Sequence, residues 1–341
     1  MKNSVITYNF ESSSKSNILK FLQKYLKLSK IEFIYDFTVD EWNRNQKTIL
    51  KNISTKFDSK IIIRSSVLGE DSLESSQAGN FQSILNIKPS SQNSVKNAVN
   101  SVIKSYENGG YVSKNNQILI QNQSENISVS GVVFTRTPEN ASPYYVINYD
   151  ESHSTVGVTS GIVGNVIKIF RNTDVKRLPK QWKKLFKSVK EIEKILNLDK
   201  LDIEFGINKN NQVIIFQVRP ISFIMKIPVN QSDKKINSLI LQNKNKFQKL
   251  NKSTKLFGKR TIFSDMSDWN PAEIIGNNPN VFDYSLYDFL IMKKSWYTGR
   301  VNIGYQDMES TPLMVKFGNK PYVDVRASFN SFLPSNLPSS I

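Results

Sequence analysis

Cysteine is absent from the 341 residues, and histidine occurs once, at His153. Without thiols the chain has no disulfide, no cysteine nucleophile and no thiolate metal site. A single imidazole excludes a histidine-rich metal centre and the HExxH protease motif. No apolar run approaches the roughly 18 residues that signal a membrane helix. The opening MKNSVITYNFESSSKS lacks the apolar stretch of a signal peptide. These absences lead us to expect a cytoplasmic protein with no membrane partner.

Lysine and arginine number 46 against 29 acidic residues, a formal charge of +17. Such an excess favours an anionic partner. The lysines are spread along the chain, however, among many Asn, Ile and Ser residues. No stripe interleaves aromatics with basic residues, so we expect no nucleic-acid partner. A basic nucleic-acid binder stays as an alternative, whose mark would be a steep loss of binding with salt.

Apolar residues make up 39% of the chain, enough for a buried core. The first sixty residues read as mainly helical. Ile61-Ile62-Ile63 forms a short buried strand that runs through Arg64 into a Ser/Gly-rich loop, and FQSILNI (81–87) reads as a second strand. Val95, Ala98, Val99, Val102 and Tyr106 fall at helical spacing. Strand patterns follow at 117–123, 129–136, 144–149 and 165–170. Trp182, Leu185, Phe186, Val189, Ile192 and Leu196 mark a second helix. LDIEFGI (201–207) and QVIIFQVRPI (212–221) flank a turn, which is a hairpin signal. Residues 229–256 read as a polar linker helix. Asn270-Pro271-Ala272-Glu273 reads as a helix start, with Asn270 as N-cap and Glu273 as the reciprocal acid. The closing PSNLPSSI contains no terminal element, which suggests a chain cut from a longer one. Mixed helices and strands in this order give an α+β or α/β class.

The hairpin carries chemistry. With Asn210-Asn211 as a two-residue turn, Glu204 faces Gln217 and Asp202 faces Arg219. Strand alternation gathers these four on one face and leaves Ile203, Phe205, Phe216 and Val218 on the other. Two carboxylates, an amide oxygen and a guanidinium suit a magnesium–phosphate site. The same face also reads as a solvated strand with an Asp202–Arg219 ion pair. The loop after Arg64 offers a second candidate, because Gly/Ser-rich loops can wrap phosphates with backbone N–H groups. It matches neither the Walker pattern nor GxGxxG, and an ordinary polar loop would look alike.

Three blocks in order carry a resemblance: IIIRSSVLGEDSLESSQAGNFQSILNI, SVSGVVFTRTP, and LDIEFGI followed by VIIFQVRPI. They resemble the nucleotide-binding domain of the phosphoenolpyruvate synthase and pyruvate, phosphate dikinase family, over roughly residues 10–225. The resemblance implies an ATP-grasp fold of class α+β, in which two subdomains with mixed or antiparallel sheets clasp ATP. The division it implies is 1–110 and 111–225 for the subdomains, with 226–341 as linker helix and start of a second unit.

The resemblance also implies roles. Arg64 and Arg219 are the catalytic cations on the phosphate chain, and Glu204 and Gln217 supply oxygens to Mg²⁺. Lys15 matches the family's N-terminal lysine that reaches the phosphates. Ala78 and Gly79 lie in the loop expected over the β- and γ-phosphates. Gln121 and Gln123 fall in the adenine-binding segment, and Arg136 is a further phosphate contact. The implied cofactors are ATP and Mg²⁺.

Two departures stand out. INYDESHSTVGVTSG (147–161) replaces the family's G-L-G-E block. The tail block from MSDWNPAEIIG to ASFNSFLP resembles a branch found with surface-polysaccharide genes, one type being an L-glutamine kinase. Second, the family's T-x-G-G-x-x-x-H-like segment is missing, and His153 in ESHST lacks the flanking glycines. The resemblance therefore implies a phosphohistidine domain elsewhere, in a further C-terminal region or on another chain. The small-molecule acceptor would be L-glutamine or pyruvate-like. A non-catalytic ATP-binding scaffold is the alternative of another class.

Overall fold

A computed structural model describes residues 8–10, 13–67, 82–151, 165–221, 233–252, 256–265 and 270–337. His153, Ala78 and Gly79 lie outside them. The chain divides into two units, Met1–Val229 and Asn230–Ile341.

The first unit holds two antiparallel sheets. The first contains β1 (Ile34–Thr38), β2 (Ile61–Ser66), β3 (Ser83–Ile87) and β4 (Gln117–Asn122), in the order β1-β4-β2-β3. Three helices accompany it: α1 (Lys15–Gln23), α2 (Val39–Lys56) and α3 (Gln92–Asn108). The Thr38 hydroxyl accepts from the Glu41 N–H, and the Glu41 carboxylate accepts from the Thr38 N–H, a reciprocal cap that starts α2. The apolar stripes of α2 and α3 then bury against Phe37, Ile61, Ile63, Ile118 and Ile120. Removing each such side chain from water contributes about 1.5–3 kcal/mol.

The second sheet contains β5 (Ile127–Phe134), β6 (Tyr144–Asp150), β7 (Asn165–Phe170), β8 (Leu201–Asn208) and β9 (Val213–Pro220). Its order is β7-β6-β5-β8-β9. Helix α4 (Lys180–Leu196) lays the whole expected stripe, Trp182 to Leu196, into a core with Val133, Ile147, Ile203, Phe205 and Val218. Lys30 bonds along the outer edge of β9: its N–H donates to Val213 at 2.9 Å, and its carbonyl accepts from Ile215 at 2.9 Å. That pairing covers an edge that would otherwise be open.

The α+β class expected from the sequence is the observed one, and the named strands of both sheets all pair antiparallel. Two local readings differ. The first sixty residues include β1, whose IYDFT reads weakly as a strand alone and is held by β4. Strand β4 joins the first sheet, although the 110/111 division left it in the second subdomain. Its continuous apolar run carries no alternation, so tertiary pairing alone chooses its neighbours.

The second unit contains α5 (Asp233–Asn251), β10 (Phe263–Ser264), α6 (Pro271–Ile274), α7 (Val281–Tyr287), α8 (Thr298–Asn302), β11 (Met314–Phe317), β12 (Lys320–Asp324) and α9 (Val325–Asn330). A π-helical stretch, Asp288–Tyr297, joins α7 to α8. The expected helix start at Asn270 gives one turn, and Asn270 makes no side-chain cap. Its amide donates to the Glu273 carboxylate instead. Arg326 is buried and spends its guanidinium on the carbonyls of Asn251, Leu256 and Phe257. Among the described residues, no helix is long and apolar enough to cross a membrane.

Gly131 on β5 stands where the backbone leaves no room for a side chain. A Cβ there would stand 2.3 Å from the Asn148 carbonyl oxygen and 2.9 Å from the Phe205 ring. The neighbours are backbone and a buried ring, so neither yields freely. Gly131→Ala should therefore lower the unfolding free energy by about 1–3 kcal/mol in urea denaturation. An unchanged midpoint would contradict this packing.

Candidate functional site

The site begins with the turn between β8 and β9. The sequence suggests a two-residue turn at Asn210-Asn211. The structure has a three-residue loop, in which Asn208 N–H donates to Gln212 O at 3.1 Å and Asn211 N–H donates to Asn208 O at 2.8 Å. Asn211 takes the left-handed conformation, with φ of 58°. This is the usual chemistry of a three-residue hairpin loop. It pairs Ile207 with Val213, one residue out of the expected register.

A β-bulge then restores that register. Phe205 pairs with Ile215, and Glu204 with Gln217, so Phe216 is the extra residue. Asp202 pairs with Arg219 as expected. The bulge keeps both Ile215 and Val218 in the core and turns Gln217 and Arg219 to the other face. Gly206 seats it, because a Cβ there would meet the Phe216 ring at 2.7 Å. The bulge is invisible to a count of alternating residues.

Arg64, on β2 of the first sheet, reaches this face. Its Nη2 donates to Gln217 Oε1 at 2.9 Å and to Glu204 Oε2 at 3.3 Å. Its Nη1 donates to the Phe216 carbonyl at 3.1 Å, the group displaced by the bulge. The Arg64 and Glu204 side chains are 13% and 17% exposed, so little solvent screens the pair. Arg64 was named from one part of the sequence and the Glu204–Gln217 pair from another, and the fold brings them together.

Beside them, Arg219 donates from Nε at 2.8 Å and from Nη2 at 2.7 Å to the same oxygen, Asp202 Oδ2. Asp202 Oδ1 is buried and has no hydrogen-bond partner. Burial pushes the Asp202 carboxyl above the usual carboxylate range; the Arg219 guanidinium opposes this, and Glu204 adds to it. An ion pair so desolvated adds little net stability, and its value is in fixing geometry. The cross-strand ion pair and the shared polar face are thus both present.

The other expected residues divide. Lys15 opens α1, and the next residue, Ser16, donates its N–H to Ser66 Oγ at the end of β2. That contact brings the start of α1 to the strand that carries Arg64. Gln121 lies on β4 in the same face as Leu119, which pairs with Arg64; it is 2% exposed, and its Nε2 has no partner. Gln123 turns away and pairs with Asn86, accepting its N–H at 2.7 Å and donating to its side-chain oxygen at 3.1 Å.

Arg136 joins a different cluster. It donates to Asp199 Oδ2 from Nε at 2.9 Å and Nη2 at 2.6 Å, and to the Ala141 carbonyl at 3.1 Å. Nearby, Arg171 donates to Glu193 at 2.6 Å and lies over the Tyr145 ring. Burial, then the Glu193 charge, pushes the Tyr145 hydroxyl up, so it stays protonated and donates to Glu193. A cavity of about 590 Å³ opens here, lined by residues that include Tyr145, Arg171, Glu193 and Asp199. None of Arg64, Glu204, Gln217 or Arg219 lines it.

The register also reveals residues that the sequence reading missed. The row through Glu204 continues into Val132 and Asn148, and that through Asp202 into Phe134, Val146 and Lys168. Lys168 is exposed, opposite the core residue Ile169 and the partly buried Ile167. The alternation in NVIKIF was the available signal.

The donor set fits a hard cation. Glu204 and Gln217 offer a carboxylate and an amide oxygen from paired positions. Among the described residues, no cluster of three or more His, Cys, Asp or Glu side chains could hold a metal. Mg²⁺ characteristically takes one or two protein oxygens and completes its shell with phosphate and water.

The sequence model of the pyruvate phosphate dikinase AMP/ATP-binding domain matches residues 39–165. The match spans Arg64, Gln121, Gln123 and Arg136 and ends before Glu204, Gln217 and Arg219. Among solved structures, the chain is similar to the D-alanine-D-alanine ligase from Coxiella burnetii, at 9% identity and a TM-score of 0.37, covering 66% of this chain and 52% of that one. It is also similar to the Helicobacter pylori D-alanine-D-alanine ligase, at 13% identity and a TM-score of 0.36, covering 62% and 51%. A third is the ADP complex of N5-carboxyaminoimidazole ribonucleotide synthetase, at 9% identity and a TM-score of 0.36, covering 63% and 46%. The chain thus spans about half the length of each of these. No curated protein matches it.

The bonds of Arg136 give a discriminating prediction. Arg136→Ala should cost about 1–2 kcal/mol of stability, since Asp199 is partly solvated. If the chain binds Mg²⁺·ATP, the variant's affinity should stay within about twofold of wild type, as Arg136 is not at the Glu204 cluster. A tenfold loss of nucleotide affinity without destabilisation would restore Arg136 to phosphate contact.

Proposed function

We propose that this chain is the ATP-binding phosphotransferase domain of a phosphoenolpyruvate synthase-like enzyme with an ATP-grasp fold. The observation that carries this reading is the convergence of Arg64 from one sheet on Glu204, Gln217 and the Phe216 carbonyl of the other. The match of residues 39–165 to the dikinase nucleotide-binding model supports it independently.

ATP binds between the two sheets of the first unit. Mg²⁺, held by Glu204 and Gln217, supplies charge neutralisation at the phosphate oxygens when bound. Arg64 and Arg219 offer planar, permanently charged donor forks to the same phosphates. They stabilise the charge that develops as a phosphoryl group moves. Asp202 holds the Arg219 fork in place. Lys15 adds a point charge from the start of α1. Gln121 offers a buried amide to the base.

The acceptor in this reading is a histidine on a separate swivelling domain, supplied by a further region or another chain. The β,γ-diphosphate passes to that histidine, AMP leaves, and water then releases Pi. The phosphohistidine afterwards phosphorylates a small acceptor, L-glutamine or a pyruvate-like acid. L-glutamine is favoured by the likeness of the 266–334 block to the polysaccharide-associated branch.

Calorimetry tests the site. The chain should bind Mg²⁺·ATP saturably at one site, and Glu204→Ala should weaken this by about tenfold or more. No binding by a folded wild-type chain overturns the reading. With the phosphohistidine domain supplied, AMP should accumulate; quantitative ADP without AMP would exclude the proposed transfer.

A further inference from the structure

Glu204 Oε2 and Gln217 Oε1 are the oxygens proposed for the metal, yet both accept hydrogen bonds from one nitrogen, Arg64 Nη2. The inference here rests on the nucleotide reading above and deepens it. We infer that Arg64 is a resident counter-ion that occupies the divalent-cation subsite until nucleotide phosphate draws it off, so that free metal is excluded and metal and nucleotide bind only together.

Three features fix the guanidinium at that point. First, it neutralises the Glu204 carboxylate where both partners are largely shielded from water. Second, it donates to the amide oxygen of Gln217, a residue only 3% exposed. Third, it donates to the carbonyl of Phe216, the extra residue of the bulge. Gly206 gives Phe216 the room to bulge. The arginine is therefore positioned by backbone as well as by charge.

A divalent ion needs those same oxygen lone pairs, at about 2.0–2.1 Å for Mg²⁺. It cannot share them with a guanidinium nitrogen 2.9 Å from one of them, because the two cations repel. A polyphosphate offers Arg64 a more highly charged, bidentate acceptor. Once Arg64 turns to phosphate, Glu204 and Gln217 are open and Glu204 lacks a counter-charge. The metal then restores the balance. Nucleotide without metal leaves the carboxylate facing phosphate, and metal without nucleotide meets the guanidinium, so each ligand favours the other.

The test is a calorimetric titration of Mn²⁺ alone into the nucleotide-free chain. Wild type should show no saturable binding at this site. Arg64→Gln should bind one Mn²⁺ at least about tenfold more tightly than wild type, since it removes the like charge. Arg64→Gln with Glu204→Gln should lose that gain. Arg64→Lys keeps the charge and should remain closed to Mn²⁺; it also serves if Arg64→Gln fails to fold, because Mn²⁺ binding by folded Arg64→Lys as tight as in the presence of a non-hydrolysable ATP analogue would overturn the inference. Wild type binding Mn²⁺ alone as tightly as with that analogue overturns it. So does a folded Arg64→Gln that gains nothing. Failure of the nucleotide reading would register separately, as wild type that does not bind Mg²⁺·ATP whatever the Mn²⁺ titrations give.

Discussion

The proposed site depends on a guanidinium that crosses between the two sheets of the first unit. Arg64 leaves β2 and ends on two side chains and one carbonyl of β8 and β9. An arginine can do this because its planar fork offers several donors in fixed directions. The receiving end needs an irregularity, since a regular ladder would have used the Phe216 carbonyl itself. The bulge frees that carbonyl, and Gly206 makes room for the bulge. Sequence, strand geometry and site chemistry thus meet at one residue pair that neither motif nor composition marks.

Charge pairs in this unit have two different purposes. Arg136 with Asp199, and Arg171 with Glu193 and Tyr145, tie the end of β5 and the edge of the sheet to α4 and the loop after it. Their acceptors are mutually satisfied, and they hold structure. Arg219 instead stands beside a buried carboxylate oxygen left unpaired, Asp202 Oδ1. That is an expensive arrangement for stability alone. It is economical if the face receives a ligand whose charge and donors complete it.

Much of the fold was legible. The stripes of α3 and α4 and the hairpin from Leu201 to Pro220 follow from periodicity, and the strand that carries Arg64 from its apolar run. The shared face of Asp202, Glu204, Gln217 and Arg219 was also legible, although through two errors that cancel. The turn is one residue longer than drawn, and the bulge takes that residue back. What sequence could not supply was choice of partner. Strand β4 carries no alternation to show which sheet it joins, and Arg136 looks like Arg64 until Asp199 is seen beside it. Periodicity shows which way a side chain faces; only the tertiary pairing shows what it meets.

Hydrogen exchange on the wild-type chain, with and without Mg²⁺·ATP, tests the central claim most directly. If the nucleotide lies between the sheets and engages Arg64, Glu204 and Gln217, protection should rise together in β2, β8 and β9 and leave α3 and the second unit little changed. Unchanged exchange in β2, β8 and β9 at saturating Mg²⁺·ATP would contradict the claim. Protection confined to the cavity beside Tyr145 and Arg171 would contradict it as well.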